Sequence, residues 1–515
     1  VDALPLPRLI ARLDADRLRR YREHLDFYQG RQWRDRPRRR ERQLTFNYAR
    51  VLVEKVTSYL MTGMDFAVDP PPGMDPAEGR ALAARTEAAL RRVWEDNALD
   101  LLDFETEIDA AVLGDAAYKV TWDAAAGRVR VTAPDVQGLF AWWRGDDPGH
   151  LWRVATRYQL TPDELATIMP SRQAPTPGPR PSPPAPLPQA GEGLGVRAGE
   201  GPRASSGERL LTVVEGWTEE TFELWVEERL VLHRPNPYGF IPFVIFANLR
   251  EAKALWGVSD LAAIVEPARE LNRALSQLSL ILELSGNPIA VLENVTDSSD
   301  IAVAPGAVWE IPPDARAYLL DLLQGGGVRL HVDYIDLLYR TLHDLGETPR
   351  TAFGENRQGL SGVALNTELD PLLKKVQRKR LIRTAAYRRR NELILRLLER
   401  FTGEPFAPYR SRIVWGPVLP QDRSRQVADE RALVAAGIHS RRRAADALGV
   451  EDPDAEFERW LAEERQAAGI HSRRRAADAL GVEDPDAEFE RWLAEEARMR
   501  TLTTPDRSAE GAGHG

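Results

Sequence analysis

Trp256-Gly-Val-Ser-Asp-Leu-Ala-Ala-Ile-Val-Glu-Pro-Ala-Arg-Glu-Leu-Asn-Arg-Ala-Leu-Ser276 opens the stretch that decides the fold. As far as Phe401 the chain reads as helix, compact β insertion, helix, glycine-bearing loop and long helix. Leu261, Ile264, Val265, Ala268, Leu271, Leu275, Leu278, Ile281 and Leu282 recur at the three/four spacing of one helical face, which predicts a helix from Val258 to Leu284. Ser285-Gly-Asn-Pro288 stops it. A second helix follows Gly325-Gly-Gly327, with Leu330, Tyr334, Leu337, Leu338, Thr341, Leu342 and Leu345 in step and Gly346 as the expected C′ residue. The third runs from Ser361-Gly362 to Phe401, about 60 Å at 1.5 Å per residue. Pro371 should kink it or restart it.

Three such helices fit many helical cores. Their order with the polar residues between them is more specific. Gly257-Val-Ser-Asp-Leu261 leads into a helix bearing Leu271-Asn-Arg-Ala-Leu-Ser276, and Gly359-Leu-Ser-Gly-Val-Ala-Leu365 opens the long helix, with Lys374-Lys375 beyond. The chain thereby resembles the portal proteins of tailed double-stranded-DNA phages, of the siphophage type. "G-x-SDL", "LN-x-x-x-S" and "G-x-SG-x-AL" occupy those places in that family. Phe27-Tyr-Gln-Gly-Arg-Gln32, Asn47 with Tyr59-Leu-Met-Thr-Gly63, Gly114-Asp-Ala-Ala-Tyr118 and Pro237 to Ala247 extend the likeness over roughly residues 20 to 430.

The 515 residues are enough for two to four structural units. Without cysteine there are no disulfides or thiolate metal sites. No apolar run reaches the ~18 residues of a membrane helix, and no signal-peptide pattern opens the chain. A net charge of −9 is unlike a tight non-specific DNA binder; it suits equally a channel through which DNA must slide and a protein that never meets DNA.

Residues 1–43 are arginine-rich, either an arm facing nucleic acid or capsid, or a solvated helix face with interleaved carboxylates. Phe46 to Met61 reads as a helix, and Asp75 to Leu113 as two pieces split near Asn97. The period then changes to two. Ala116–Trp122 and Arg128–Thr132 form a hairpin, and Leu139–Trp143 and Leu151–Leu160 continue the sheet. Thr161 and Glu164 cap a short helix. Leu211–Trp217 and Thr221–Leu232 make another hairpin. Tryptophans and tyrosines on these strands read as core. Between them, 171–208 is a Pro/Gly-rich insertion that cannot bury enough apolar surface to order itself. Ile289–Leu292, Ala307–Ile311 and Ala317–Leu320 read as strands, and Asp297-Ser-Ser-Asp300 as a turn and not a calcium loop. Ile413 to Asp422 returns as a strand. Ala435–Glu464 recurs unchanged as Ala467–Glu496, so that Gly437 reappears 32 positions on as Gly469. Ser440 and Ser472 are the expected N-caps, and the polar tail from Thr503 is expected to be disordered.

There is no G-x-x-x-x-G-K-[ST] loop, no H-E-x-x-H, and no clustering of histidines; the carboxylates read as lying on amphipathic faces. No catalytic residue, metal or cofactor is expected. The long polar loop Thr348–Leu360 joins two strong helices and reads as a working loop or a solvated linker.

The resemblance implies an α+β portal fold: arm 1–43, β-rich wing 44–255, stem helix 256–287, clip 288–325, stem helix 326–347, tunnel loop 348–361, long kinked helix and returning wing strand 362–423, helical crown 424–502 and tail 503–515. It implies a DNA-contacting loop with Arg350, Phe353, Asn356, Arg357 and Gln358, and stem contacts through Leu271, Leu275, Leu278, Leu337 and Leu338. Implied partners are further copies of the chain in a ring of about twelve, double-stranded DNA, the terminase large subunit, capsid and scaffolding proteins, and a head-completion adaptor, with no membrane. The place would be the portal vertex of the virion, reached from host cytoplasm. Two other readings are a metal-dependent DNA-processing enzyme and a non-ring scaffold or adaptor.

Overall fold

A computed structural model describes residues 4–33, 43–145, 147–168, 210–286, 289–294, 313–320, 327–355, 362–419, 423–450, 456–457 and 459–461. The insertion 171–208, the strand expected at 307–311, the Asp297–Asp300 turn, the second repeat copy and the tail lie outside them. The chain divides into two compact units, 1–418 and 419–515.

The first unit begins with α1 (Leu6–Ile10), α2 (Ala15–Tyr28), α3 (Tyr48–Leu60), β1 (Met64–Ala67), α4 (Pro76–Asp96) and α5 (Leu99–Leu113). Asn47 caps α3 by accepting from Arg50 N at 3.2 Å, and Asp75 caps α4 by accepting from Ala77 N and Glu78 N. The expected break lies at Asn97, whose amide bonds Val93 O, Val129 O and Val131 N.

Then come β2 (Asp115–Asp123), β3 (Arg128–Thr132), β4 (Leu139–Arg144), β5 (Asp147–Leu160), α6 (Pro162–Ile168), β6 (Leu211–Trp217), β7 (Thr221–Val226), β8 (Arg229–Pro235) and β9 (Phe243–Ala247). The β2–β3 hairpin forms as expected, but β4 and β5 do not extend its sheet. They belong to a five-stranded antiparallel meander, β4-β5-β6-β7-β8, beside a three-stranded sheet, β3-β2-β9. Nor is Thr221–Leu232 one strand: Glu227 turns the chain at φ 53°. Thr161 and Glu164 do form the reciprocal cap of α6.

The unit closes with α7 (Val265–Gly286), the antiparallel pair β10 (Ile289–Glu293) and β11 (Arg316–Leu320), α8 (Gly327–Leu345), α9 (Gly362–Thr402) and β12 (Arg412–Trp415), which pairs with β1. The second unit holds α10 (Arg423–Ala435) and α11 (Arg441–Ala447), with Ser440 Oγ accepting from Arg443 N as its cap.

Two cores flank β2. Ala117 faces one core, with Leu52, Leu113, Leu139, Val213, Leu261 and Leu342; Ala116, Tyr118 and Val120 face the other, with Leu90, Val244, Tyr387 and Ile394. The strand is buried on both faces along its first half, Asp115 to Tyr118. Helix α9 lines the second core and runs through Pro371 without restarting. One lost backbone bond is outweighed where Leu369, Leu372 and Val376 are all buried around it.

The described part of the arginine-rich segment is neither a free arm nor a wholly solvated face. Tyr21, His24 and Phe27 of α2 are buried. Arg17, 4% exposed, donates to Val136 O and Leu139 O, with its guanidinium 3.8 Å from the centre of the Trp256 ring.

Candidate functional site: the junction that carries the helix pair

The Gly257–Leu261 segment does not begin the helix it was expected to begin; α7 starts at Val265 because the preceding residues are engaged elsewhere. A Cβ on Gly257 would lie 2.2 Å from Gly114 O, so two backbones touch there. Gly257 N donates to Asp115 Oδ1 at 2.7 Å. Ser259 Oγ donates to the end of α5, nearest Val112 O at 2.6 Å, and accepts from Leu261 N. Leu261 is wholly buried.

Asp260 receives Lys379 Nζ at 2.6 Å, Lys375 Nζ at 3.2 Å and Asn248 Nδ2 at 3.2 Å. Burial pushes its carboxyl up, but the two ammonium groups and the Asn248 amide more than offset this and hold it well below the usual carboxylate range. Lys375 Nζ also donates to Gly346 O at 2.9 Å, just past the end of α8. One lysine of α9 thus ties the entry of α7 to the exit of α8.

Further along α9, Arg383 makes a two-point bond to Glu107, at 2.7 and 2.8 Å, and donates to Asn248 O and Oδ1. Arg390 meets Asp103, which also accepts from Tyr118 OH at 2.7 Å. Burial raises the Asp103 carboxyl, and Arg390 and Tyr118 offset this only in part. Lys375, Lys379, Arg383 and Arg390 share one buried face of α9, opposed by Asp103 and Glu107 one turn apart on α5. Sequence reasoning placed the carboxylates on amphipathic faces and passed over this ladder. The four/four/seven spacing of cations on α9 was the available signal. Asp103, Glu107 and Asp260 are each paired with a cation, which makes the site a clamp. Among the described residues no group of acidic or histidine side chains is arranged to hold a metal.

Helix α7 carries a second fastening. Asn272 Oδ1 accepts from Phe46 N at 2.7 Å and Ser276 Oγ from Leu44 N at 3.0 Å, so Asn272 and Ser276 pin the segment that leads into α3. Leu271 is buried, and Leu275 and Leu278 are half-buried.

Helix α8 is apolar on two adjacent faces. Leu338, Leu342 and His343 turn toward the chain's own core, while Leu330, Tyr334, Leu337 and Leu345 form a neighbouring stripe that stays exposed, Leu330 at 72% and Leu337 at 58%. Its C-terminal cap is shifted by one residue from expectation. Glu347, not Gly346, takes the left-handed conformation at φ 52°, and Thr348 N closes the motif on His343 O. Arg378 holds the Glu347 side chain, while a Cβ on Gly346 would crowd Thr348 Oγ1 at 2.9 Å.

The loop after α8 starts with a 3-10 turn, Arg350–Phe353. Arg350 pairs with Glu355 at 2.5 Å and lies 4.9 Å from the Tyr339 ring centre. The Phe353 ring meets the His343 ring edge to face at 5.2 Å and packs on the first core. These two expected loop residues are therefore brought together against α8; Asn356, Arg357 and Gln358 lie outside the described residues.

A model of the family described as phage portal protein, SPP1 Gp6-like, matches residues 204–469, just over half of the chain. The match takes in β6 to β12, the Gly257–Leu261 side of the junction, the helix pair and α9, but not α5 or Gly114 and Asp115. No curated protein matches the chain.

Proposed function

The chain belongs to the phage portal protein family, SPP1 Gp6-like, and from this we propose that it closes into a ring at one capsid vertex, through which DNA is packaged and ejected. Membership makes it a structural protein of the virion and not an enzyme. The observation that carries the ring is the exposed apolar stripe of α8, which nothing described in its own chain covers. Soluble chains seldom leave such a stripe open, and a second copy is its natural cover. Head-to-tail contacts of this kind close when the rotation per subunit divides a full turn, and about twelve copies is the family's habit.

In this reading α7 and α8 form the stem, 288–325 the clip, the β sheets the wing and 424–502 the crown. The clamp of Asp260, Lys375 and Lys379 fixes the stem to the wing. Terminase, capsid and scaffolding proteins and a head-completion adaptor would dock on the ring. Arg350 is already paired within its chain, so of the loop's two cations Arg357 is the one we assign to reversible phosphate contacts. Native mass spectrometry and electron micrographs of the purified protein test the ring: closed rings are expected, and a monodisperse monomer at every concentration and salt would overturn it. Arg357→Ala rings of normal size that package DNA normally would remove the phosphate role.

A further inference from the structure

We propose that a groove between α4, the N-terminal side of β12 and the outer face of α9 binds a short acidic peptide segment with an apolar anchor. The groove encloses about 320 Å³, and Val68, Leu82, Phe406 and Ile413 give it an apolar floor. Arg388 and Arg410 also line it; both are exposed, and neither has an ion-pair or hydrogen-bond partner among the described residues. Pro70-Pro71-Pro72 also line it and have no backbone N–H to offer. Arg388 and Arg410 are thus unpaired cations of the lining, while its carboxylate, Asp69, is already paired with Arg412.

The walls are fixed before any ligand arrives. Glu399 accepts from Phe406 N at 2.8 Å and from Tyr409 OH at 2.9 Å, which holds the loop between α9 and β12. Asn391 Nδ2 donates to Ser411 Oγ at 3.1 Å, and Arg412 bridges to Asp69 at 3.1 Å. A preformed site loses little ordering entropy on binding. An apolar floor calls for an aliphatic or aromatic side chain, and two unpaired guanidinium groups call for carboxylates beside it. Duplex DNA fits less well. It needs a row of cations on an open surface, and its phosphates carry nothing to fill an apolar floor.

The test uses the full chain and a short fluorescein-labelled peptide alternating glutamate and phenylalanine, read by anisotropy. Wild-type protein should bind it and not the matching lysine/phenylalanine peptide. Arg388→Ser with Arg410→Ser should weaken binding by at least about tenfold with an unchanged melting temperature. Arg388→Glu with Arg410→Glu should reverse the preference between the two peptides. Equal affinity in wild type and serine variant, binding of both peptides alike, or displacement of the acidic peptide by duplex DNA would each overturn the proposal.

Discussion

Lys379 Nζ lies 2.6 Å from Asp260 Oδ2 although 119 positions separate them in sequence, and the two side chains are only 0% and 4% exposed. The bond joins the middle of α9 to the segment entering α7. Taking two charges out of water is costly, so the pair persists only because each has further partners: Glu107 for the lysine, Lys375 and Asn248 for the aspartate.

Removing one member should therefore cost more than the pair itself is worth. Asp260→Asn leaves Lys375 and Lys379 buried together and should lower stability by about 3–5 kcal/mol in denaturant melts. Adding Lys379→Met removes one of the two ammonium groups left beside the neutral Asn and should recover part of that loss. Strict additivity of the two losses would show that the residues are not coupled.

Acid should weaken the fold through His24. This ring is 7% exposed, and its Nδ1 has no hydrogen-bond partner among the described residues. Burial brings its pKa down from 6.5 to about 4. The unfolded chain thus takes up the proton first, so the contribution of His24 is complete above about pH 6.5 and is lost as pH falls toward 4. The total is about 3 kcal/mol. His24→Phe should flatten this part of the stability–pH curve; an unaltered slope would assign it to another group.

The two faces of α8 should separate under mutation. Leu337→Glu, on the exposed stripe, should leave the melting curve of the single chain nearly unchanged and abolish rings in light scattering. Leu342→Ala, at a buried position, should cost about 2–5 kcal/mol. Rings of unchanged size from Leu337→Glu would move the subunit contact elsewhere.

Excision of 171–208 should be nearly neutral. β5 and β6 are direct neighbours, and Leu160 pairs with Leu211 at the point where the chain leaves and re-enters the sheet. A short Gly/Ser linker in place of 171–208 should change stability by less than about 2 kcal/mol, because closure entropy varies slowly with length. A larger loss would show that this segment packs.

Local signals in the sequence were read well where local chemistry decides. The Thr161/Glu164 pair and Ser440 cap their helices, and the β2–β3 hairpin pairs Val120 with Val131 across its turn. The reading failed where a partner comes from far along the chain. Ser259 and Asp260 look like the first turn of a helix until α5 and α9 claim their side chains. Arg17 looks solvated until Val136 and Leu139 supply carbonyls. Of the expected loop residues, Arg350 and Phe353 take their positions from Glu355 and His343, which periodicity does not reveal.

The touching backbones of Gly114 and Gly257 have a consequence for the order of folding. The bond from Gly257 N to Asp115 closes a loop spanning 142 residues. Within that loop the five-stranded meander pairs neighbours in sequence. Short-range hairpins form before long closures, which lose chain entropy before any contact rewards them. The meander therefore has a route to form first, with the junction closing onto it afterwards. On that order, weakening the junction by Asp260→Asn raises the unfolding limb of a chevron and leaves the refolding limb in place. The clamp then sets how long an assembled subunit lasts, more than how fast it is made.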